Sequence, residues 1–512
     1  MDAGKTRRWL ALGALTLAVL AVGLDGTILS VALPTLATDL HASTADLQWF
    51  VSGYTLVLAA ALLPAGLLGD RYGRKKILLG ALALFGVGSL AVAYAPSAGA
   101  FTAARLLLGL GAAAVIPLSL SVLTVLFTPD ERPRAVGVWA AANFLALPLG
   151  PILGGWLLTS YWWGWAFLIN LPVVAVGLLA VTVLLPESRS ATRTGLDPVG
   201  VLASSTGLAV VVYGVIQAGQ DGWGAPAALA AMAAGALVLV GFGLWERRLS
   251  RRPDGQPLID LALFGSTSFT WGTILAAVGV FALFGVLFTA PQYFQAILGT
   301  DAMGSGLRLL PLIGGLAVGA SVADRIAARA GAKLTVASGF ALLAAGLGIG
   351  ATTGLTRGTG FLSLWTPLVG LGMGLALATA SAAALGALSA ERAGVGSAVI
   401  QAVNKVGAPL AAALLGSVLN ATYRSQLDLA GVPGQVAAAA RDSVFAGVAV
   451  ARQLGSASLL DAVRAAFVEG MDGMLWVCAA LAVAGMVLAL VFLPGRAAAA
   501  ATPPPEPARV GG

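Results

Sequence analysis

The sequence predicts an all-α polytopic membrane protein, and three observations lead to this fold class. Of the 512 residues, 58% are hydrophobic and only 10% are charged, and the mean hydropathy is +0.92. A soluble domain carries about 45–50% apolar and about 25% charged residues. Apolar runs of about 18–25 residues recur along the chain, the length needed to cross a bilayer as a helix. Because every backbone polar group in lipid needs an internal partner, these runs are predicted to be helices.

Fourteen such runs define the predicted spans. Their limits are 9–32, 47–68, 76–95, 101–126, 135–158, 165–186, 198–217, 226–246, 268–290, 303–323, 333–353, 361–385, 394–420 and 472–494. The first run is too long for a cleaved signal peptide, and no small-residue cleavage site follows it.

The basic residues give the orientation. If the N-terminus is cytoplasmic, cytoplasmic segments hold 21 of the 29 Lys and Arg residues, and the short outer loops hold only Arg357. This asymmetry predicts that both termini are cytoplasmic and that the number of spans is even. The net charge of +7 follows this topology, so we expect the lipid bilayer as a partner and no nucleic acid.

Other classes of site are excluded by composition. A single cysteine, Cys478, excludes an internal disulfide and a thiolate zinc site, and a single histidine, His41, excludes a multi-histidine metal or haem site. We therefore expect no metal, no cofactor and no enzymatic activity, because a membrane enzyme would cluster His, Asp or Cys at one depth.

The predicted domain organisation has two six-helix bundles and an insertion. The N-terminal bundle covers 1–190, two inserted transmembrane helices with linkers cover 191–260, and the C-terminal bundle covers 261–496. Asp70-Arg71 ends span two and Asp324-Arg325 ends span ten, so these spans occupy equivalent places in the two halves. The Pro-rich tail 497–512 is predicted to be disordered.

A long outer loop, 421–471, separates the last two predicted spans. Val436, Ala440, Val444 and Val448 repeat every four residues, so part of this loop is predicted to be an amphipathic helix. That helix either lies at the outer interface, covers the mouth of a pathway or belongs to a solvated connector.

Asp25 is the clearest ionisable residue inside a span. It follows Arg8 by 17 residues, about 25 Å along a helix, which places it in the outer half of an apolar layer about 30 Å thick. An ionisable group at that depth costs at least about 2.5–3.5 kcal/mol unless it faces a cavity or a partner. The pattern indicates a functional carboxylate; the structural alternatives are an ion pair with another helix and a cap at a helix break. Arg105, early in span four, is a second membrane-embedded charge.

Further residues are predicted to gate the pathway or line it. Asp70, Arg71, Gly73 and Arg74 form a charged turn between spans two and three, and Gly150, Pro151, Gly154 and Gly155 give span five a bend point between rocking halves. The residues predicted to line a pocket are Gln48, Tyr54, Asn143, Gln292, Tyr293, Gln401, Asn404 and Lys405.

The ordered set of motifs resembles the major facilitator superfamily, specifically its fourteen-spanner drug:proton antiporters. The resemblance rests on Leu24-Asp25-Gly-Thr27-Ile-Leu-Ser-Val-Ala-Leu33-Pro34, the turn Asp70–Lys76, Arg105, Gly150-Pro151-Ile-Leu-Gly154-Gly155, Trp163-Gly-Trp165-Ala-Phe-Leu-Ile-Asn170-Leu-Pro172 and Gly306-Leu-Arg308-Leu-Leu-Pro311. It covers nearly the whole chain. It implies the major facilitator fold and a monomeric exporter in the cytoplasmic membrane of a bacterium, driven by proton influx.

The resemblance also implies roles for individual residues. Asp25 would carry the proton or contact a cation, and Arg105 would assist coupling. The Asp70 turn, and by equivalence Asp324-Arg325, would latch the inner gate. The span-five motif would mark antiport.

The sequence departs from the family at Ser30, Ala146 and Asn404-Lys405. One buried acid together with a buried lysine favours monocationic or neutral lipophilic substrates over dicationic ones. A facilitator or symporter that imports a small solute is the alternative; the span-five motif and the two extra spans favour export.

Overall fold

A computed structural model of the chain describes residues 3–128, 131–189, 197–252, 255, 257–258, 261–355, 358–388, 390–430 and 432–494. The prediction of a disordered tail falls outside these residues. Within them the regular structure is helical. The first part of the chain contains α1 (Ala3–Asp39), α2 (Thr44–Tyr72), α3 (Arg74–Ala93), α4 (Ala98–Leu126), α5 (Arg132–Ser160), α6 (Trp165–Leu168) and α7 (Asn170–Leu184), followed by α8 (Pro198–Asp221) and α9 (Pro226–Ser250).

The second part begins with a 3₁₀ turn at Leu261–Gly265. It continues with α10 (Thr267–Gln292), a π turn (Tyr293–Ile297), α11 (Ala302–Arg308), α12 (Leu310–Ala330), α13 (Ala332–Gly350), α14 (Gly358–Gly386), α15 (Ala390–Gln426), α16 (Gly434–Asp442), α17 (Val444–Gln453) and α18 (Ala457–Phe492).

Each of the fourteen predicted spans coincides with a helix or with a pair of consecutive helices. In the described residues, thirteen helices are long and apolar enough to cross a membrane. The remaining predicted span coincides with α5, which extends over 29 residues and has its described apolar part at Leu149–Ser160. The prediction of an all-α polytopic protein is confirmed.

The helices form two hydrophobic cores. One is built from residues between Ala11 and Leu185 with Phe288, and the other from residues between Leu275 and Leu493 with Val31. We call the helices α1–α7 the N-terminal half and α10–α18 the C-terminal half. The predicted boundaries near 190 and 260 fall beside residues outside the described part, so they stay predictions.

The inserted helices pack unequally. α8 lies against α2 and α15, and a small apolar cluster with members such as Leu56, Val212 and Ala413 joins these three helices. Most of α9 beyond its contact with α8 is exposed, as expected for a helix that faces lipid.

The prediction for the long outer loop needs correction. α15 continues to Gln426 and α18 begins at Ala457, so the connection spans only 427–456. The predicted amphipathic helix is two helices, α16 and α17, because Ser443 adopts extended backbone angles (φ −162°, ψ 159°) and its hydroxyl caps α17 by accepting from the Ala446 amide. Ala440, Val444 and Val448 are buried against the C-terminal core.

One membrane face is marked by basic residues, and we call it the basic face (Arg7, Arg8, Arg74, Lys75 and Arg134). Arg7 donates to the Val183 carbonyl at the end of α7, Arg8 pairs with Glu131 at 3.4 Å, and the Lys75 ammonium donates to the Thr182 carbonyl. α1 starts at this face and α2 returns to it; the other side of the membrane is called the opposite face.

Candidate functional site

Asp25 and Arg105 form an ion pair inside the N-terminal half. The Arg105 Nη1 donates to Asp25 Oδ2 at 2.5 Å, and the two side chains are 1% and 0% exposed. α1 carries the carboxylate and α4 carries the guanidinium, so the pair joins two helices that the sequence separates by 80 residues. The two residues predicted for proton coupling are therefore in direct contact, and this contact is the ion pair with another helix that was the structural alternative for Asp25.

The pair sits in a polar cluster enclosed by apolar packing. Arg105 Nε donates to the Phe50 carbonyl at 3.2 Å, and the guanidinium lies 4.1 Å from the ring centre of Tyr54. The Asn170 amide donates to Asp25 Oδ1 at 3.5 Å and to the Ser89 hydroxyl at 3.1 Å. Tyr54, predicted to line a pocket, belongs to this buried cluster.

Asn170 was missed as a site residue by sequence reasoning. Its signal was present, because it is a lone amide in the apolar run Trp165–Leu184 and is 1% exposed. A buried amide in a membrane helix needs a partner, and spacing along the chain does not reveal that the partner is Asp25.

In this arrangement the Asp25 carboxylate is the group that can bind a proton. The negative carboxylate offsets the positive guanidinium, so the pair carries no net charge. Protonation of Asp25 would leave the Arg105 charge buried without a counter-charge, which costs about 3–5 kcal/mol. The cluster therefore has two charge states, and only one of them suits the observed packing.

The two halves meet towards the opposite face. Gln48 donates to the Ala413 carbonyl at 3.3 Å and to the Ser417 hydroxyl at 3.4 Å, and Ser52 donates to the Pro409 carbonyl at 3.2 Å. These bonds join α2 to α15. We call this contact region, together with the α5–α11 contact described next, the seam. Gln48, predicted to line a pocket, is 1% exposed and helps to close the seam.

The predicted antiporter motif lies at the other side of the seam. Gly150 and Gly154 let α5 approach Thr27 and Ile28 of α1. A Cβ at Gly155 would lie 2.8 Å from the Ala302 carbonyl oxygen on α11, which belongs to the C-terminal half.

The preceding turn of α5 makes a similar contact with α11. The Pro151 carbonyl is the closest neighbour of a Cβ built at Gly306 of α11. The motif thus uses two glycines inside its own half and places Gly155 and Pro151 between the halves, where small residues permit close helix approach.

All the hydrogen bonds between the halves that the described residues show lie towards the opposite face. Besides the α2–α15 bonds, Thr44 donates to the Asp442 carbonyl at 3.0 Å and Gln295 donates to the Val31 carbonyl at 3.2 Å. We call the region between the halves on the basic side of these bonds the gap.

The predicted gating turn is ordered by contacts within the N-terminal half. Arg74 pairs with Asp70 at 2.8 Å. Gly73 joins α2 to α3 with a φ of 117°, a backbone conformation that favours glycine. Arg71 is exposed and lies over the Tyr72 ring.

Glu187 was also missed by sequence reasoning. Its carboxylate lies against Gly73 and accepts from the Lys75 amide at 3.2 Å, in the first turn of α3. An anion at a helix N-terminus is favourable, so Glu187 holds the end of α7 against the turn.

The equivalent residues of the C-terminal half are arranged differently. Asp324 and Arg325 are exposed, and neither is in an ion pair within the part of the chain that the structure describes. The structure does not bring them together with Asp70 or Arg74 in this conformation.

The remaining predicted pocket residues divide into two groups. Gln292 and Tyr293 are buried inside the C-terminal half, where Gln292 donates to the Phe288 carbonyl and Tyr293 donates to the Gly354 carbonyl. Gln401 is exposed and its neighbours Asn404 and Lys405 are half-buried, near the middle of α15. The side chain of Asn143 lies outside the described residues.

The described residues contain no group of three or more His, Cys, Asp and Glu side chains that could hold a metal ion.

Comparisons with known proteins agree with this architecture. Residues 15–412 match the family model of the Major Facilitator Superfamily. The chain is 34% identical over 498 residues to the tetracenomycin C resistance and export protein of Streptomyces glaucescens, covering 94% of this chain and 91% of that one. It is 35% identical over 478 residues to the multidrug efflux pump LfrA of Mycolicibacterium smegmatis, covering 91% and 92%.

The fold is shared with a solved transporter. The structure of a bacterial homologue of the human lysosomal transporter Spinster superposes with a TM-score of 0.69 at 15% identity, covering 96% of this chain and 99% of that one. The predicted fold and the family resemblance are confirmed, and the family is one of transporters and not of enzymes. The chain belongs to the Major Facilitator Superfamily, and the relatives that it matches at 34–35% identity are drug export and efflux proteins.

Proposed function

We propose that this protein is a proton-coupled antiporter that exports small lipophilic compounds across the cytoplasmic membrane of a bacterium by alternating access. Two relatives that match more than 90% of its length are described as an export protein and an efflux pump. The basic face is cytoplasmic in this proposal, which agrees with the distribution of Lys and Arg.

The buried Asp25–Arg105 pair is the observation that carries proton coupling. The carboxylate lies within a membrane-spanning helix and its charge is offset by one guanidinium at 2.5 Å. Adding a proton to Asp25 removes that balance, so proton binding favours a rearrangement that gives Arg105 another partner. Binding of a proton and a change of conformation are then linked by one free energy.

A continuous series of helix contacts leads from this pair to the seam. Thr27 and Ile28, within one turn of Asp25, touch Gly150 and Gly154 of α5. α5 then meets α11 through Gly155. A shift of α1 is therefore transmitted to the place where the halves close, while the gap accepts substrate from the basic side.

The charge of the substrate is restricted by the enclosure of Asp25. In this conformation Asp25 is 0% exposed and already paired, so a cation cannot reach it. The closed pair therefore gives no support to a cationic substrate, and the monocationic alternative requires a state in which the pair has opened.

Transport into everted membrane vesicles tests the proposal. Vesicles from an efflux-deficient bacterium carrying the gene should accumulate N-phenyl-1-naphthylamine when respiration acidifies the lumen, and a protonophore should abolish accumulation. Accumulation that persists without a proton gradient, or net movement of the dye out of the vesicles on acidification, would contradict antiport.

The orientation has its own test. Reporter fusions at Gly219 and Ala430 should read as outside the cell, and a fusion at Arg251 as cytoplasmic. A cytoplasmic signal at Gly219 would remove the inserted helix pair from the membrane, whereas a reversed signal at Arg251 would mean that only one of the two helices spans it.

A further inference from the structure

Among the described residues, Lys405 is a membrane-embedded cation without a counter-charge. It lies near the middle of α15 and is half-buried. In the described part of the chain no carboxylate is within ion-pair distance of it, and it makes no side-chain hydrogen bond. A charge at this depth is expensive unless it faces a cavity or a partner.

The register of α15 places Lys405 towards the gap. Pro409 and Gly416 follow it at four and eleven residues, which is one face of a helix. That face meets the other half at the seam, because the Pro409 carbonyl accepts from Ser52 and Gly416 lies against Gln48. Lys405 is one turn beyond the Ser52–Pro409 bond on the basic side, at the level of the gap.

The other faces of α15 at this depth are covered. Val406 and Leu410 pack in the apolar cluster with α8, and Gly407 lies against Ala277 and Phe281 of α10. The lysine is therefore not a lipid-facing residue. Gln401, one turn before it, is exposed, so this stretch of α15 borders open space.

Among the side chains that the structure describes, no other charge of the C-terminal half neutralises it. The nearest carboxylates along the contact of α15 with α18 are Glu469 and Asp472, which flank Gly470. Gly470 touches Leu419, 14 residues or about 21 Å along α15 from Lys405. In the N-terminal half, Asp25 is committed to Arg105.

A second polar group beside Lys405 also lacks a partner. The Asn404 side-chain oxygen is buried and accepts no hydrogen bond. This oxygen is an acceptor and does not itself attract an anion; an anion would be met by the NH2 groups of Asn404 and Gln401, each of which can donate two hydrogen bonds.

We propose that Lys405, with Gln401 and Asn404, forms a subsite in the gap for an anionic group, so that this exporter accepts lipophilic compounds bearing a carboxylate, a phenolate or a sulfonate. This inference rests on the proposed function, because it names the substrate class of the same pathway. The Lys405 ammonium attracts the anion in a poorly screened space, and the apolar part of the compound occupies the rest of the gap.

Equilibrium binding of two matched dyes to the full chain in lipid nanodiscs tests this subsite. 8-Anilinonaphthalene-1-sulfonate and N-phenyl-1-naphthylamine differ only in the sulfonate. The wild type should bind the sulfonate more tightly. Lys405→Met should weaken sulfonate binding by about tenfold, which is about 1.4 kcal/mol, and change amine binding by less than about twofold. Lys405→Arg should retain sulfonate binding.

The matched control is Lys333→Met, in the first turn of α13 away from the seam, which should change neither dye. Equal weakening of both dyes by Lys405→Met, or no change in sulfonate binding, would overturn the inference. Tighter binding of the amine than of the sulfonate by the wild-type protein would also overturn the inference. This result does not depend on the folding of any variant.

The dye measurement is made without a proton gradient. If the protein binds the sulfonate selectively but gradient-driven transport in vesicles fails, the proposed antiport is contradicted and the subsite is supported. If gradient-driven transport occurs but the protein does not prefer the sulfonate, the antiport is supported and the subsite is contradicted.

Discussion

In the N-terminal half, the membrane-embedded carboxylate Asp25 is fully enclosed, pairs with Arg105 at 2.5 Å and is approached by the Asn170 amide. In the C-terminal half, the membrane-embedded cation Lys405 is half-buried at the gap and has no ion-pair partner among the described residues. A charge that is already paired inside the protein can bind or release a proton but is not available to a ligand. A charge without a partner is available to attract a ligand of opposite charge. We therefore propose that coupling resides in the first half and selection in the second.

The largest effect is expected for Asp25→Asn. It fixes the neutral state of the carboxyl group and leaves Arg105 without a counter-charge, so gradient-driven efflux should fall to the level of cells without the gene. Vesicle transport of N-phenyl-1-naphthylamine measures it, with membrane abundance of the variant as the control for folding. If the variant still transports against a gradient at near the wild-type rate, proton coupling does not depend on Asp25, and the proposed division of roles between the halves is wrong.

A bulky residue at Gly155 should separate the halves at the seam. A Cβ there would lie 2.7 Å from the Met303 Cα, and overpacking of this kind costs about 1–3 kcal/mol. Gly155→Leu should therefore open the gap to the opposite face. In a Cys478→Ser background, a cysteine at Gln401 should become reactive to an impermeant thiol reagent added from that face.

The matched control for the seam is Gly80→Leu on α3, where an added Cβ meets nothing within 4 Å. It should leave the reactivity of the cysteine at Gln401 as it is in the wild type. Equal reactivity in the Gly80 and Gly155 variants would show that the seam does not control access to the Lys405 side.

Asn170→Ala should have an intermediate effect. It removes a hydrogen bond to Asp25 and one to Ser89, and a bond to a charged group contributes about 1.5–3 kcal/mol. Transport should fall by roughly tenfold or more and its pH dependence should shift. The ratio of sulfonate to amine binding should stay unchanged, because that ratio belongs to the other half; a change in the ratio would mean that the two halves share one site.

The smallest effects are expected at the charged turns of the two halves. Asp70→Asn breaks a partly exposed pair with Arg74, worth about 0.2–1 kcal/mol, so transport should slow by about two- to fivefold while dye binding hardly changes. Asp324→Asn, at the equivalent exposed turn, should slow transport less. An equal loss at both turns would indicate that Asp324 gains a partner in a conformation other than this one.

Much of the fold could be predicted from the sequence because a bilayer imposes a length and a composition on each span. The fourteen apolar runs, the buried carboxylate at Asp25 and the cation at Lys405 all follow from local pattern and from the cost of charge in lipid. The structure of the connection 421–471 was harder to predict from the sequence. A period of four predicted one helix there, and the break depends on the hydroxyl of Ser443 finding the Ala446 amide, an alternative hydrogen bond that periodicity does not encode.

The sequence by itself determined which residues carry charge inside the membrane and which glycines permit close approach. Only the tertiary structure decided what each of them meets. Asp25 and Arg105 are 80 residues apart and Ser52 and Pro409 are 357 apart, and a helix surface alone does not specify its neighbour at such separations. Packing made Asp25 a satisfied charge and Lys405 an open one, because the cost of a buried charge depends on the partner that the fold brings to it.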